Sequence, residues 1–120
     1  MLETTLLVLT LTASGDVRVT LSYAKDATEC SANRDAVTTI LTEAGHPPLV
    51  ALCGATDLKL TPFVHGTPPE AETSRYRVEL PGTGGFSVMP LAADAPCKAS
   101  ADTDPAVYCA ISAQKVIADG

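Results

Sequence analysis

The chain has no tryptophan, and aromatic residues make up only 4% of its 120 positions. Carbohydrate and single-stranded nucleic-acid platforms rely on stacking rings, so both are disfavoured. Cations are also few: 8 Lys and Arg stand against 14 Asp and Glu, for a formal net charge of -6. A negative mean field repels phosphate backbones and anionic membrane surfaces, so no nucleic-acid partner is expected. Arg75-Tyr76-Arg77 sets two bases around an aromatic, but strand alternation accounts for it, with Tyr76 inward and the arginines at a solvent-facing edge. No uncharged apolar run approaches the roughly 20 residues of a membrane span, so the chain is not expected to cross a membrane. Met1-Leu2-Glu3 puts an acid where a secretion signal carries positive charge, and threonines interrupt the apolar residues from Thr4 to Thr12. The expectation is a mature domain behind an expression start.

What remains is ample for folding. Hydrophobic residues reach 46%, mostly small aliphatic side chains, and charged residues 18%, so the chain is not of the disordered class. At this length one domain, residues 1–120, should bury roughly 65–70% of its unfolded surface.

Four cysteines, Cys30, Cys53, Cys97 and Cys109, are separated by 22, 43 and 11 intervening residues. None has the two-residue gap of a zinc ribbon or a thioredoxin-like redox site. An even count without such a motif in a short chain fits structural disulfides, and hence an extracellular or periplasmic location. Of three possible pairings, packing selects one. Cys30 shares a helical stripe with Val37, Ile40, Leu41 and Ala44, while Cys53 alternates with Leu49 and Ala51 on the strand that follows, so these thiols should face each other. Cys109 shares a face with Val107 and Ile111 and should tie the loop holding Cys97 to the last strand.

Leu7, Leu9 and Leu11, then Val17, Val19, Leu21 and Tyr23, alternate with polar residues across Ala13-Ser14-Gly15-Asp16, an antiparallel hairpin with one buried face. Leu6 and Val8 break the alternation, so the first strand is expected to be covered on both faces, by another segment or by a second copy of the chain. Asp26-Ala27-Thr28-Glu29 has capping-box spacing and Gly45 ends the helical pattern, with His46-Pro47-Pro48 beyond. Leu49–Cys53, Leu58–Val64, Tyr76–Leu80, Phe86–Leu91 and Ala106–Ser112 are expected strands, and residues 65–74 and 92–105 long loops. The fold class is therefore α+β: a single helix on a largely antiparallel sheet, stapled by disulfides.

Chemical motifs are weak. Pro81-Gly82-Thr83-Gly84-Gly85 precedes a strand, not a helix, and lacks a Walker lysine, so it is expected to be a turn needing positive φ. The only imidazoles, His46 and His65, stand beside Pro or Gly at element ends. Asp94, Asp102 and Asp104 could offer oxygens to a hard cation, but they lack EF-hand spacing. No nucleophile elbow or reactive-cysteine signature fixes a catalytic group, so no metal, cofactor or catalytic residue is assigned. The segment Pro62–Ser74 is the most suggestive for recognition: Pro68 and Pro69 stiffen it, and Phe63, Val64 and His65 stand beside them as candidate binding residues. The expected function is a small exported, non-enzymatic module that binds another protein, as a secreted inhibitor or an assembly subunit. The alternative is a small hydrolase or ligand-binding protein with a pocket between helix and sheet. A homo-oligomer formed through the first strand is the third class, motivated by Leu6 and Val8.

Overall fold

The alternating hairpin forms as its sequence requires. Strand β1 (Glu3–Leu11) and strand β2 (Val17–Tyr23) run antiparallel, with Leu7 opposite Leu21 and Leu9 opposite Val19. The computed structural model describes residues 2–64 and 68–117, with Pro69 described by its backbone alone. Beyond the hairpin lie helix α1 (Ala27–Glu43), then β3 (Val50–Thr56), β4 (Ser74–Leu80), β5 (Ser87–Leu91) and β6 (Ala106–Ser112). The strands form one six-stranded sheet of order β3-β1-β2-β6-β4-β5. Every pairing is antiparallel except β2 with β6, which is parallel and limited to Val17–Ala110 and Arg18–Ile111. The architecture is the expected α+β one.

The sheet curls around its inner face. Leu7, Leu9, Val19, Leu21, Tyr76, Val78, Val88 and Ala110 form one buried cluster there, joined by Leu60 from a loop. Phe86, just before β5, reaches the opposite edge of the sheet at β3, where a Cβ on Gly54 would lie 2.7 Å from its ring. Only glycine allows that close approach without displacing the ring.

The helix lies on the outer face. Asp26 caps it, its side chain accepting from the Glu29 amide at 2.8 Å, while Glu29 accepts from the Lys25 amide. At the other end Gly45 takes φ +84°, and the His46 amide donates to the Leu41 carbonyl. Such a terminus satisfies the last carbonyls of the helix. Cys30, Val37 and Leu41 pack onto Leu6, Val8 and Cys53. This answers the break in alternation: α1 covers Leu6 and Val8 from within the chain, which removes the feature that suggested a second copy. The expected stripe is narrower than its spacing implied. Ile40 is 64% exposed and Ala44 is exposed too, because the apolar contact of the helix with the sheet runs through Cys30, Val37 and Leu41.

Both disulfides pair as expected, Cys30–Cys53 and Cys97–Cys109. The first ties α1 to β3. The second closes the 92–105 loop over β6, on the face opposite the main core, since the register of β6 against β4 places Cys109 opposite Arg77 and Ala110 opposite Tyr76. A two-way backbone bridge between Ser100 and Val107 holds that loop down. Gly84 and Gly85 both adopt positive φ, so the glycine-rich segment is the expected turn, joining β4 to β5. Tyr76 points inward as expected, but β4 is flanked on both sides by strands and is not an edge. Arg75 donates to the carbonyls of Ala92, Ala93 and Ala95, and Arg77 pairs with Glu79.

Candidate functional site

A cleft of about 1120 Å3 opens on the outer face, because α1 lies over β1 and β3 and leaves the outer side of β2 uncovered. Small-molecule sites commonly occupy roughly 300–1,000 Å3, so the space is large enough for one. Leu6 and Val8 supply the deepest part of the bed, and Thr10, Thr20 and Ser22 line its shallower side. Val37, Leu41 and His46 form the helix bank; Leu60, Pro62, Phe63 and Ile117 form the other.

That second bank is the segment read from sequence as a strand over Leu58–Val64. It is irregular instead, with one bridge, Leu60 to Val116. Around that bridge the Thr61 amide donates to the Lys115 carbonyl and the Ile117 amide to the Lys59 carbonyl, and side chains supply the remaining anchors. The Tyr23 hydroxyl donates to the Leu58 carbonyl at 2.8 Å and accepts from the Leu60 amide at 2.9 Å. Gln114 occupies the place a neighbouring strand would take beside β2. Its Oε1 accepts from the Leu21 amide, and its Nε2 donates to the carbonyls of Leu21 and Thr61, at 2.7 to 2.9 Å. A buried amide with its bonds made fixes geometry, because leaving any of them unmade is costly. No local pattern marks Gln114 in the sequence; its role exists only once Leu21 and Thr61 have been brought together.

The charged side chains that line the cleft are bases, but acids from outside the lining pair with them. Its lining includes Arg18, Lys59 and His46, and among the described residues no carboxylate lines it. Two acids reach the bases from outside the lining. Arg18 pairs with Glu72, whose side chain is 7% exposed. Lys59 pairs with Glu3 at 2.8 Å, with the two side chains 50% and 38% exposed, and its Nζ stands 5.3 Å from the centroid of the Tyr23 ring. The hydrogen bond to Glu3 raises the Lys59 ammonium above its ordinary value. Burial raises the Tyr23 phenol.

The structure brings only part of the expected binding segment to this site. Phe63 lines the cleft and is 43% exposed. Val64 is exposed beyond the lining, Pro68 is exposed, and Pro69 opens a short 3-10 turn over Pro69–Ala71. His65 lies outside the described residues. Glu72 turns back to Arg18, so this part of the segment is anchored to the sheet. In the acidic loop Asp104 accepts from the Gly82 amide at 2.8 Å, and among the described residues no three His, Cys, Asp or Glu side chains gather as a metal site. Among the described residues no helix is long and apolar enough to cross a membrane. No family model, curated protein or solved structure matches this chain.

Proposed function

We propose that this chain is an exported, non-catalytic binding domain that takes an apolar ligand into the cleft between α1 and the sheet. The observation that carries the proposal is the cleft itself: an apolar bed and two apolar banks, with hydroxyl groups along one side. The bed is already covered by α1, so the apolar surface that binding would remove from water, at a gain of about 25 cal/mol per Å2, is that of the far bank, where Phe63 and Ile117 stay exposed. The hydroxyls of Thr10, Thr20 and Ser22 can orient an oxygen-bearing group without the desolvation cost of a charge. A hydrolase gains less support, because among the described residues no carboxylate shares the lining with His46. The two disulfides are compatible with the extracellular or periplasmic location proposed. An inhibitor that presents the segment Pro62–Ser74 to another protein gains less support too, since Phe63 lines the cleft and Glu72 is held to Arg18.

The neutral dye Nile red tests the proposal. The native protein should bind it at micromolar concentration with a blue-shifted, enhanced emission. Thr20→Trp, which fills the uncovered side of the cleft, should abolish that signal and leave Tm unchanged. Native protein that gives no signal, or a Thr20→Trp variant that binds as well as native, would remove the cleft as the site.

A further inference from the structure

The two ends of the sheet are guarded differently. β5 closes one end and carries Pro90, which has no amide to offer an added strand. β3 closes the other, and from Val50 to Thr56 it has neither a proline nor a charged side chain, the residues that keep exposed edges from pairing. The hydrogen-bond register shows which groups stand there. The Ala24 amide donates to the Thr4 carbonyl, so Thr4, Leu6 and Val8 turn their backbone groups to β2, and Thr5, Leu7 and Leu9 turn theirs to β3. Gly54, Leu52 and Val50 lie opposite these last three. The amides and carbonyls of Ala51, Cys53 and Ala55 therefore point out from the free edge, where among the described residues nothing bonds to them. From this edge we infer that the chain forms a two-fold dimer, in which β3 pairs antiparallel with β3 of a second copy, Ala51 opposite Ala51, and the two sheets become one.

What stands beside the edge selects a second copy over a bare extended peptide. A trough of about 520 Å3 runs between α1 and β3, with Arg34, Asp35, Thr38 and Thr39 on its helix wall and Leu49, Val50 and Ala51 among its other lining residues. A peptide strand brings nothing to fill it, whereas a second copy brings its own α1. Strands lie about 4.8 Å apart, so α1, seated over β1 and β3, stands about 4.8 Å from an axis half a spacing beyond β3, and the second helix about 9.6 Å from the first. Packed helices stand about 8–10 Å apart. The Cys30–Cys53 bridge sets the height of the axis. Ala51 lies about 6.6 Å along β3 from Cys53, and Arg34 about 6 Å along α1 from Cys30, so the two stand at one level. A two-fold axis there sets Arg34 against Asp35 of the second copy, and Asp35 against its Arg34. Within one chain these two side chains approach only to 3.6 Å and are 38% and 76% exposed, so both are free to take the new partner. Opposite charges adjacent on one wall are in this way complementary to their own copy.

Light scattering and sedimentation of the full chain across the micromolar range test the inference. The native chain should show twice the mass of one copy, and its Ala51 amide should exchange slowly when concentrated and faster on dilution. Ala51→Pro removes an amide that makes no bond within its own sheet, so it should give a monomer with native circular dichroism. Arg34→Asp, which sets like charges together, should weaken the dimer about tenfold. Adding Asp35→Arg to it should restore the dimer, a rescue that a pair acting only within one chain would not give. The trough and the cleft lie on opposite sides of α1, so Ala51→Pro should bind Nile red as the native chain does. A native chain that stays monomeric would overturn the inference and leave the edge to a foreign strand. A dimer that survives both Ala51→Pro and Arg34→Asp would overturn it as well, by placing the contact elsewhere.

Discussion

The two faces of the sheet are built from the same two strands, yet one is filled and the other half-covered. On the inner face Leu7, Leu9, Val19 and Leu21 are sealed by side chains from β4, β5 and β6, because the sheet curls until Phe86 meets Gly54. On the outer face β1 offers Leu6 and Val8, but β2 offers Arg18, Thr20 and Ser22. A helix can bury itself only where apolar residues face it, so α1 lies over β1 and β3 and stops short of β2. The cleft follows from that asymmetry: hydroxyls on β2 leave nothing for a second helix to cover.

Substitutions on the two faces should separate them most clearly. Leu7→Ala, at 0% exposure in the inner cluster, should cost about 2–5 kcal/mol in urea unfolding. Ile40→Ala on the solvent side of α1 should stay within about 0.5 kcal/mol. Comparable losses at both sites would mean that the outer face is packed as the inner one is.

The disulfides come next in size. Replacing Cys30 and Cys53 together by alanine should cost about 3 kcal/mol on the loop-entropy model, and so should replacing Cys97 and Cys109. Binding distinguishes them. Loss of Cys30–Cys53 releases one bank of the cleft and should weaken dye binding, whereas loss of Cys97–Cys109, over β6, should leave it unchanged. Equal effects on binding would show that the cleft does not depend on where α1 sits.

The smallest effect expected is alkaline. Burial raises both Tyr76, in the inner cluster, and Tyr23, beside the cleft, above the usual tyrosine value of 10.0. A raised folded-state value means that the neutral phenol is favoured by folding. Its contribution is complete below pH 10 and is lost as pH climbs through the raised values. Thermal melts should therefore be level up to about pH 9 and fall above pH 10, with Tyr76→Phe flattening part of the fall.

Much of this was legible in the chain, because it depended on local pattern. The hairpin, the capped helix, the glycine turn and β6 all follow from period, caps and punctuation, and the cysteine pairing followed once helix and strand faces were known. Leu6 and Val8 announced a second covered face. The rest depended on distant partners. The segment from Leu58 to Val64 has a strand-like composition, but β3 runs on to Thr56 through the residues read as the turn before it, and Lys59, Leu60 and Thr61 pair instead with the distant residues 115–117. The curl of the sheet rests on Phe86 against Gly54, residues that no periodicity connects. Cys109, Val107 and Ile111 do share a face, but it lies away from the main core, because alternation identifies faces without saying which one the core occupies. The cleft was legible only as a pocket between helix and sheet; Arg18, Thr20 and Lys59 read as ordinary surface residues until the helix was seen to leave β2 bare.

The central claim, that the uncovered outer face of β2 is a ligand site, is tested most directly by amide chemical shifts during titration with Nile red. Saturable shifts should appear at Thr20, Ser22, Val37 and Leu41 and spare Val78 and Val88 inside the curl. Shifts absent from β2 and α1, or spread evenly over the chain without saturation, would contradict it.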